Sequence, residues 1–231
     1  FSIKNSERGA ARNFGAMKAK GKYLNFFDSD DIAKNNHIKS AMLMIDNFNN
    51  PEVFHLSYDI STSDKIKKKF ILEGKINSKI FSCNILSCNG VFIRNDIFKL
   101  EKFSENKELS GSEDWDLWLR LANKYNFFSS RYITSTINDH DNRSMHVQNF
   151  DKVSKRIFIL LKNISNKKKL NLNFLNFRKV SSELYSYLSL SCIILTKKKY
   201  LTLKYLILSC FFYPPNIITK RFIYILYKAI F

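Results

Sequence analysis

The sequence predicts an α/β domain over residues 1–150 followed by an all-helical, basic segment over residues 151–231. Three observations carry that division. The stretch GKYLNFFDSDD, Gly21 to Asp31, is an apolar run that ends abruptly in Asp28, Asp30 and Asp31. That is how a strand buried on both faces of a parallel sheet reads when its carboxyl end carries a ligand site. Apolar residues recur at helical spacing on either side of it, over residues 6–20 and 33–48. Beyond Phe150 only helical spacing remains and the charge changes: residues 1–150 hold 22 Lys+Arg against 18 Asp+Glu, residues 151–231 hold 16 against 2.

In chain order, Ser2 and Asn5 are candidate caps for a helix with Ala10, Ala11, Phe14, Met17 and Ala19 as its apolar stripe. Arg8 and Arg12 lie four apart on one face of that helix, within reach of a single anion. Gly9, Gly15 and Gly21 do not make GxGxxG, which excludes a dinucleotide fingerprint. The three aspartates repel: at about 5 Å and an effective dielectric near 20, each pair costs roughly 3 kcal/mol. Either water solvates an acidic turn or a divalent cation, Mg²⁺ or Mn²⁺, holds the carboxylates together and bridges to phosphate. An EF-hand is excluded, because Ile32, Ala33 and Lys39 stand where its loop needs a ligand, a glycine and a glutamate.

Residues 33–48 follow as an amphipathic helix with Ile38, Ala41, Met42, Ile45 and Phe48 inward and His37 on the surface. Residues 53–60, VFHLSYDI, read as a strand, and SDKIKKKF as a charged loop or edge. Ser110 and Glu113 have capping-box spacing, which places Glu113 and Asp114 in the first turn of a helix whose Leu117, Trp118, Leu121 and Ala122 face inward. Acids there complement the helix dipole, so local sequence alone is satisfied by a structural role. Residues 127–137 read as a strand leading to His140 and Arg143.

In the basic segment Val153, Ile157, Leu160, Leu161 and Ile164 form one stripe. Residues 184–196 and 200–213 form two more, broken by three lysines and stopped by Pro214-Pro215, with a third helix from 216 to 231. Uncharged stretches this short do not span a bilayer, which needs about twenty residues. The segment reads as a helical subdomain or as a basic amphipathic surface on a membrane. Its aromatics sit on apolar faces rather than interleaving with the bases, which argues against nucleic acid.

Cys83, Cys88, Cys192 and Cys210 make no CxxC pair, so neither a structural metal nor a disulfide framework is expected and a reducing, cytoplasmic setting fits. No signal peptide opens the chain, and Phe1 stands where an initiator methionine would, as in a fragment.

The helix carrying ARNFG followed by KGKYLNFFDSDD resembles the nucleotide-sugar half of family 2 glycosyltransferases of the GT-A fold, over residues 5–146. The later EDWDLWLR segment resembles the ED-containing helix of the same family, in the order the family requires. The resemblance implies that Asp28 and Asp30 are the DXD pair that binds Mn²⁺ or Mg²⁺, with Asp30 the direct ligand and Asp31 capping the next helix or assisting. It implies that Asp114 is the general base, that Glu113 supports the acceptor hydroxyl and that Arg120 is structural. Trp115 is a candidate for stacking on a sugar or for the core. His140, with Arg143 and Ser144, resembles a segment that contributes to the metal or the diphosphate, and Arg8, Arg12, Asp28, Asp31 and Arg143 are the expected donor-binding set. Residues 83–94 resemble a wall of the acceptor pocket, in which Asn89 and Gly90 only shape the site.

A sugar would move with inversion from a nucleotide-sugar donor to a hydroxyl of a surface polysaccharide or lipid-linked glycan, with peripheral contact to an anionic membrane and no nucleic acid. The family's leading strands, which recognise base and ribose, have no counterpart before residue 5, so the resemblance implies a truncated GT-A domain. An inactive remnant, or a basic membrane- or nucleic-acid-binding module with incidental acidic turns, are the competing readings.

Overall fold

A computed structural model describes residues 6–62, 65–140 and 149–231. It divides into two compact units. The first holds the described residues of 1–80, 84–106 and 110–146; the second holds 81–83, 107–109 and those of 147–231.

In the first unit helix α1 (Arg8–Lys18) leads to β1 (Tyr23–Asn25), β2 (Ile32–Ala33), α2 (His37–Asn47), β3 (Val53–Thr62), β4 (Lys65–Phe70), β5 (Gly74–Lys75) and α3 (Asn77–Ile80). Then come β6 (Val91–Arg94), α4 (Asn95–Leu100), α5 (Glu113–Lys124) and β7 (Phe127–Asn138). The sheet runs β1-β6-β3-β7-β2, with β4 added to β3 and β5 to β7. It is mixed: β3 and β7 are parallel, and the other pairs are antiparallel. The centre is β3, where Val53, Phe54, Leu56 and Tyr58 are all buried, as a strand covered on both faces requires.

Strand β1 departs from the sequence expectation. It lies at an edge of the sheet, antiparallel to β6, and only Leu24 among its residues is fully buried. An aromatic run reads the same whether partners flank a strand on one side or two.

Two helices bury faces other than the apolar ones. On α1 the buried residues are Gly9 and Asn13, while Met17 is exposed. A Cβ on Gly9 would stand 2.3 Å from the Ser104 carbonyl oxygen, and Asn13 exchanges two hydrogen bonds with the Phe103 backbone. That close approach, not an alanine stripe, fixes the helix. On α2 the buried residues are His37, Ser40, Ala41 and Met44, and Ile38, Met42 and Phe48 are exposed. His37 is not on the surface: Nδ1 pairs with Thr134 Oγ1 at 3.0 Å and Nε2 with Asn25 Oδ1 at 3.3 Å, and Phe27 and Phe92 flank the ring. Burial lowers its pKa.

The turn Cys88–Gly90 sits directly on β3. A Cβ on Gly90 would lie 2.3 Å from the Leu56 carbonyl oxygen and 2.8 Å from His55 Nε2. The carbonyl belongs to a central strand and cannot retreat, so Gly90→Ala is expected to destabilise the fold by about 1–3 kcal/mol through overpacking. Urea denaturation measures this; an unchanged midpoint would mean the turn can lift.

The second unit is helical: α6 (Phe150–Ser165), α7 (Phe174–Thr196), α8 (Lys199–Phe212) and α9 (Lys220–Ile230). Val153, Ile157, Leu160 and Ile164 bury one face of α6, as their spacing predicts. Helix α7 begins ten residues before the apolar run at Leu184, because Asn173 caps it by accepting the Asn176 N–H. It ends at Lys197, whose φ of 57° is left-handed. Helix α9 starts at Lys220 rather than 216, after a 3₁₀ turn over Pro214–Ile218, with Thr219 as its cap.

Candidate functional site

Asp28 follows β1 at the end of the apolar run, and Asp30 and Asp31 complete a turn in which the Asp31 N–H donates to the Asp28 carbonyl at 3.2 Å. One carboxylate oxygen from each of the three lies within 4.8 Å of the others. An all-oxygen donor set of that size fits a hard divalent cation such as Mg²⁺ or Mn²⁺.

What holds the turn is Asn89, which is buried on the loop before β6. Its Oδ1 accepts the Asp28 N–H at 3.0 Å and its Nδ2 donates to Asp31 Oδ2 at 2.7 Å. A backbone N–H only donates and a carboxylate only accepts, so the amide has one orientation that satisfies both. Asp31 Oδ1 takes the Asn138 N–H at 2.9 Å, which ties the turn to the end of β7. Asp31 therefore does not cap α2, whose first position follows Asn36. Asp30 remains exposed, with His140 Nε2 3.2 Å from its Oδ2. Arg143 and Ser144 lie outside the described residues.

Arg12 joins this turn to the start of α5. Its guanidinium donates to Asp28 Oδ1 and to Glu113 Oε1, each at 3.0 Å. Burial works against its charge, but the surrounding acidic groups outweigh burial and raise its pKa. Arg8, one turn earlier on α1, is exposed. The other Glu113 oxygen accepts the Gly111 N–H at 2.6 Å, so Ser110 makes no capping box and Ser112 is the cap residue. Glu113 is buried and spends both oxygens on positioning.

Asp114, the next residue, is half-buried and differently placed. One oxygen accepts the Trp115 N–H at 2.7 Å, and Asn84 Nδ2 approaches both oxygens at 3.4 Å. Burial and then the Glu113 charge push its pKa up, against the pull of Arg12 and Asn84. Cys88 is buried within range of both acidic groups: burial raises its thiol pKa most, Arg12 opposes this, and Asp114, Asp28 and Glu113 add to it. The acidic turn and the α5 carboxylates thus share one neighbourhood, as the sequence reading requires.

Trp115 belongs to the core rather than to a sugar platform, since it is buried and its Nε1 donates to the Ile80 carbonyl. Arg120 is structural, paired with Asp116 and Glu101. Beside Arg12 and Asp28 opens a cavity of about 300 Å³, walled by Gly15 and Ala16 of α1, by Ala19 just after it and by residues 24–28. The small residues of α1 leave that space. Sequence reasoning missed the bridging of Asn89 and the placement of Asn84 and Cys88, and nothing local marks any of the three.

Residues 1–100 match the model of glycosyl transferase family 2. An uncharacterized glycosyltransferase of Methanocaldococcus jannaschii is 30% identical over 130 residues, 54% of this chain and 44% of that protein. A second, of Rickettsia felis, is 31% identical over 131 residues, 54% of this chain and 21% of that protein. The matched stretch thus spans less than half the length of these relatives. Among solved structures, S. aureus TarS 1-349 in complex with UDP-GlcNAc superposes with a TM-score of 0.65 at 16% identity, covering 100% of this chain and 70% of that chain. At that identity the likeness shows the fold, which is of the GT-A kind expected from the sequence.

Proposed function

We propose, from the premise that this chain belongs through residues 1–100 to glycosyl transferase family 2, that it serves inverting transfer of a sugar from a nucleotide-sugar donor to an acceptor hydroxyl of a surface polysaccharide or lipid-linked glycan. The observation that carries the reading is Arg12, which holds Asp28 of the acidic turn and Glu113 at the start of α5 on one guanidinium. It brings a carboxylate cluster able to hold a divalent cation and a raised-pKa carboxylate into one neighbourhood, the two components that displacement of a nucleotide diphosphate needs. The UDP-GlcNAc held by TarS supports a nucleotide sugar as the donor class.

In this mechanism Asp114 takes the proton of the acceptor hydroxyl as its oxygen attacks the anomeric carbon and the diphosphate departs from the opposite face. A carboxylate raised in pKa is the better base at neutral pH, provided it is ionised. Asn84 and the Trp115 N–H orient it. Glu113 and Arg12 keep the first turn of α5 fixed against the acidic turn. Asp28, Asp30 and His140 would hold Mn²⁺ or Mg²⁺, with Asp31 locked by Asn89 behind them. A divalent ion there would neutralise charge on the departing diphosphate.

The test is a panel of nucleotide sugars offered to the whole protein with Mn²⁺ and after chelation, read by binding and by release of nucleoside diphosphate. Binding and release that need the metal are expected. A protein that binds no nucleotide sugar under either condition overturns the reading, and one that binds donor but never turns over is a remnant.

A further inference from the structure

Helix α8 buries small polar residues while it exposes large apolar ones. Its buried positions are Thr202, Leu206 and Ser209, while Tyr200, Ile207 and Phe211 are exposed, the last two at 67% and 73%. The two sets recur at i, i+4, i+7 and i, i+7, i+11, so they occupy opposite faces. Its partner α7 meets it in part through small polar residues, with Ser189 Oγ donating to the Thr202 carbonyl at 2.7 Å, and in part through rings, Tyr185 stacking on Tyr205 and Phe212. In water such a helix would place serine and threonine outward and phenylalanine inward. Small polar residues between helices with apolar side chains turned outward is the arrangement found where the surroundings are lipid.

Helix α9 also exposes an apolar face: Ile225 and Ala229 are buried, and Ile223, Tyr227 and Ile230 line the opposite, exposed side. Around these faces the charge is of one sign. Residues 184–231 contain six lysines and one arginine and no acidic residue. No helix among the described residues is long and apolar enough to cross a membrane.

We propose that the exposed faces of α8 and α9 are a docking surface for an anionic lipid bilayer, lying in the plane of the headgroups with the apolar side chains dipped below them. Charge selects this occupant. A second copy would bring a face of the same positive sign against the first, and a nucleic acid would leave Ile207, Phe211 and Tyr227 in water. A bilayer with anionic headgroups satisfies the apolar stripe and the lysines together. Lys204, within the α8 stripe, would reach the headgroup phosphates by its flexible stem.

The full chain is floated with phosphatidylcholine vesicles with and without phosphatidylglycerol, in the absence of donor and acceptor, so the outcome is independent of the glycosyl-transfer reading. Binding is expected with the anionic vesicles, weaker in high salt, and at least tenfold weaker for Ile207→Gln/Phe211→Gln, whose exposed positions leave the helix intact by circular dichroism. In a parallel measurement Phe211→Trp should be quenched by brominated lipid. Absence of vesicle binding overturns the proposal. So does binding that the double substitution leaves unchanged, or a dimer in sedimentation that this substitution dissolves without any vesicle association.

Discussion

Replacing Asp114 with asparagine is expected to lower turnover by about a hundred to ten-thousandfold, to leave donor binding unchanged, and to make the fold more stable at neutral pH. The amide keeps the shape of the side chain and an oxygen for the Trp115 N–H, so the start of α5 stays where it is. What disappears is the lone pair that takes the acceptor proton. The stability gain follows from the direction of the pKa. Burial and the Glu113 charge raise the folded-state pKa of Asp114 above its unfolded value, so the native state binds the proton more tightly than the unfolded chain does. Such a group favours the fold fully below the unfolded pKa, about 3.9, and that contribution fades as pH rises through the folded value. At neutral pH the ionised carboxylate is therefore a burden that asparagine removes. Thermal melts of the two proteins should separate at pH 7, with the variant higher, and converge below about pH 4. The same shift predicts that the acid limb of turnover in the natural protein lies above that of an ordinary carboxylate. Undiminished turnover in the variant would remove Asp114 from the chemistry, and a lower melting temperature at pH 7 would show that its charge is compensated rather than strained.

The elements that were legible in the sequence share a property: their pattern and their function lie within one short stretch. The run ending in Asp28 read as a strand driving into a charged turn, and all four residues expected to face inward on α5, Leu117, Trp118, Leu121 and Ala122, are buried, joined there by Trp115 and Leu119. What was not legible depends on partners far along the chain. His37 read as solvent-facing because polar side chains usually are, yet it is buried against Thr134, 97 residues later, and Asn13 is likewise buried against the Phe103 backbone. A polar residue that finds such a partner loses its reason to face water, and periodicity then misplaces part of the helix face, as on α2, where Ala41 and Ile45 pack inward but Ile38, Met42 and Phe48 are exposed. Pairing within the sheet is hidden for the same reason, and so β1 read as a strand of a parallel sheet covered on both faces when it lies at an edge, antiparallel to β6 and mostly half-buried. Asn89 shows the limit for the site. Its amide is what spaces Asp28 from Asp31, but a lone asparagine before a strand carries no mark of that task.

Arg12→Met should cost about 3–5 kcal/mol of stability, the range seen when one partner of a buried ion pair is removed. The loss is unequal between the two carboxylates the guanidinium serves. The Glu113 side chain is only 4% exposed, whereas that of Asp28 is 37% exposed and can recover water. The cost therefore falls on Glu113, left charged and buried with only the Gly111 N–H for company. Neutralising it should repair much of the damage: Arg12→Met combined with Glu113→Gln is expected to be more stable than Arg12→Met alone, a coupling that a double-mutant cycle in urea measures directly. Lysine is not an equivalent replacement, because one ammonium lacks the planar fork that serves two acceptors at 3.0 Å each. Arg12→Lys should thus keep the charge but release one arm, and the exposed Asp28 is the arm with the smaller penalty for release. The functional consequence is separate from the stability one. With Asp28 untethered the acidic turn loses its tie to α1 and α5 and keeps those to Asn89 and Asn138, so Mn²⁺ binding should weaken in Arg12→Lys even where the fold survives. Three variants of equal stability would mean that the guanidinium merely rests between two carboxylates already satisfied by other groups, and the link between the acidic turn and α5 would then need another carrier.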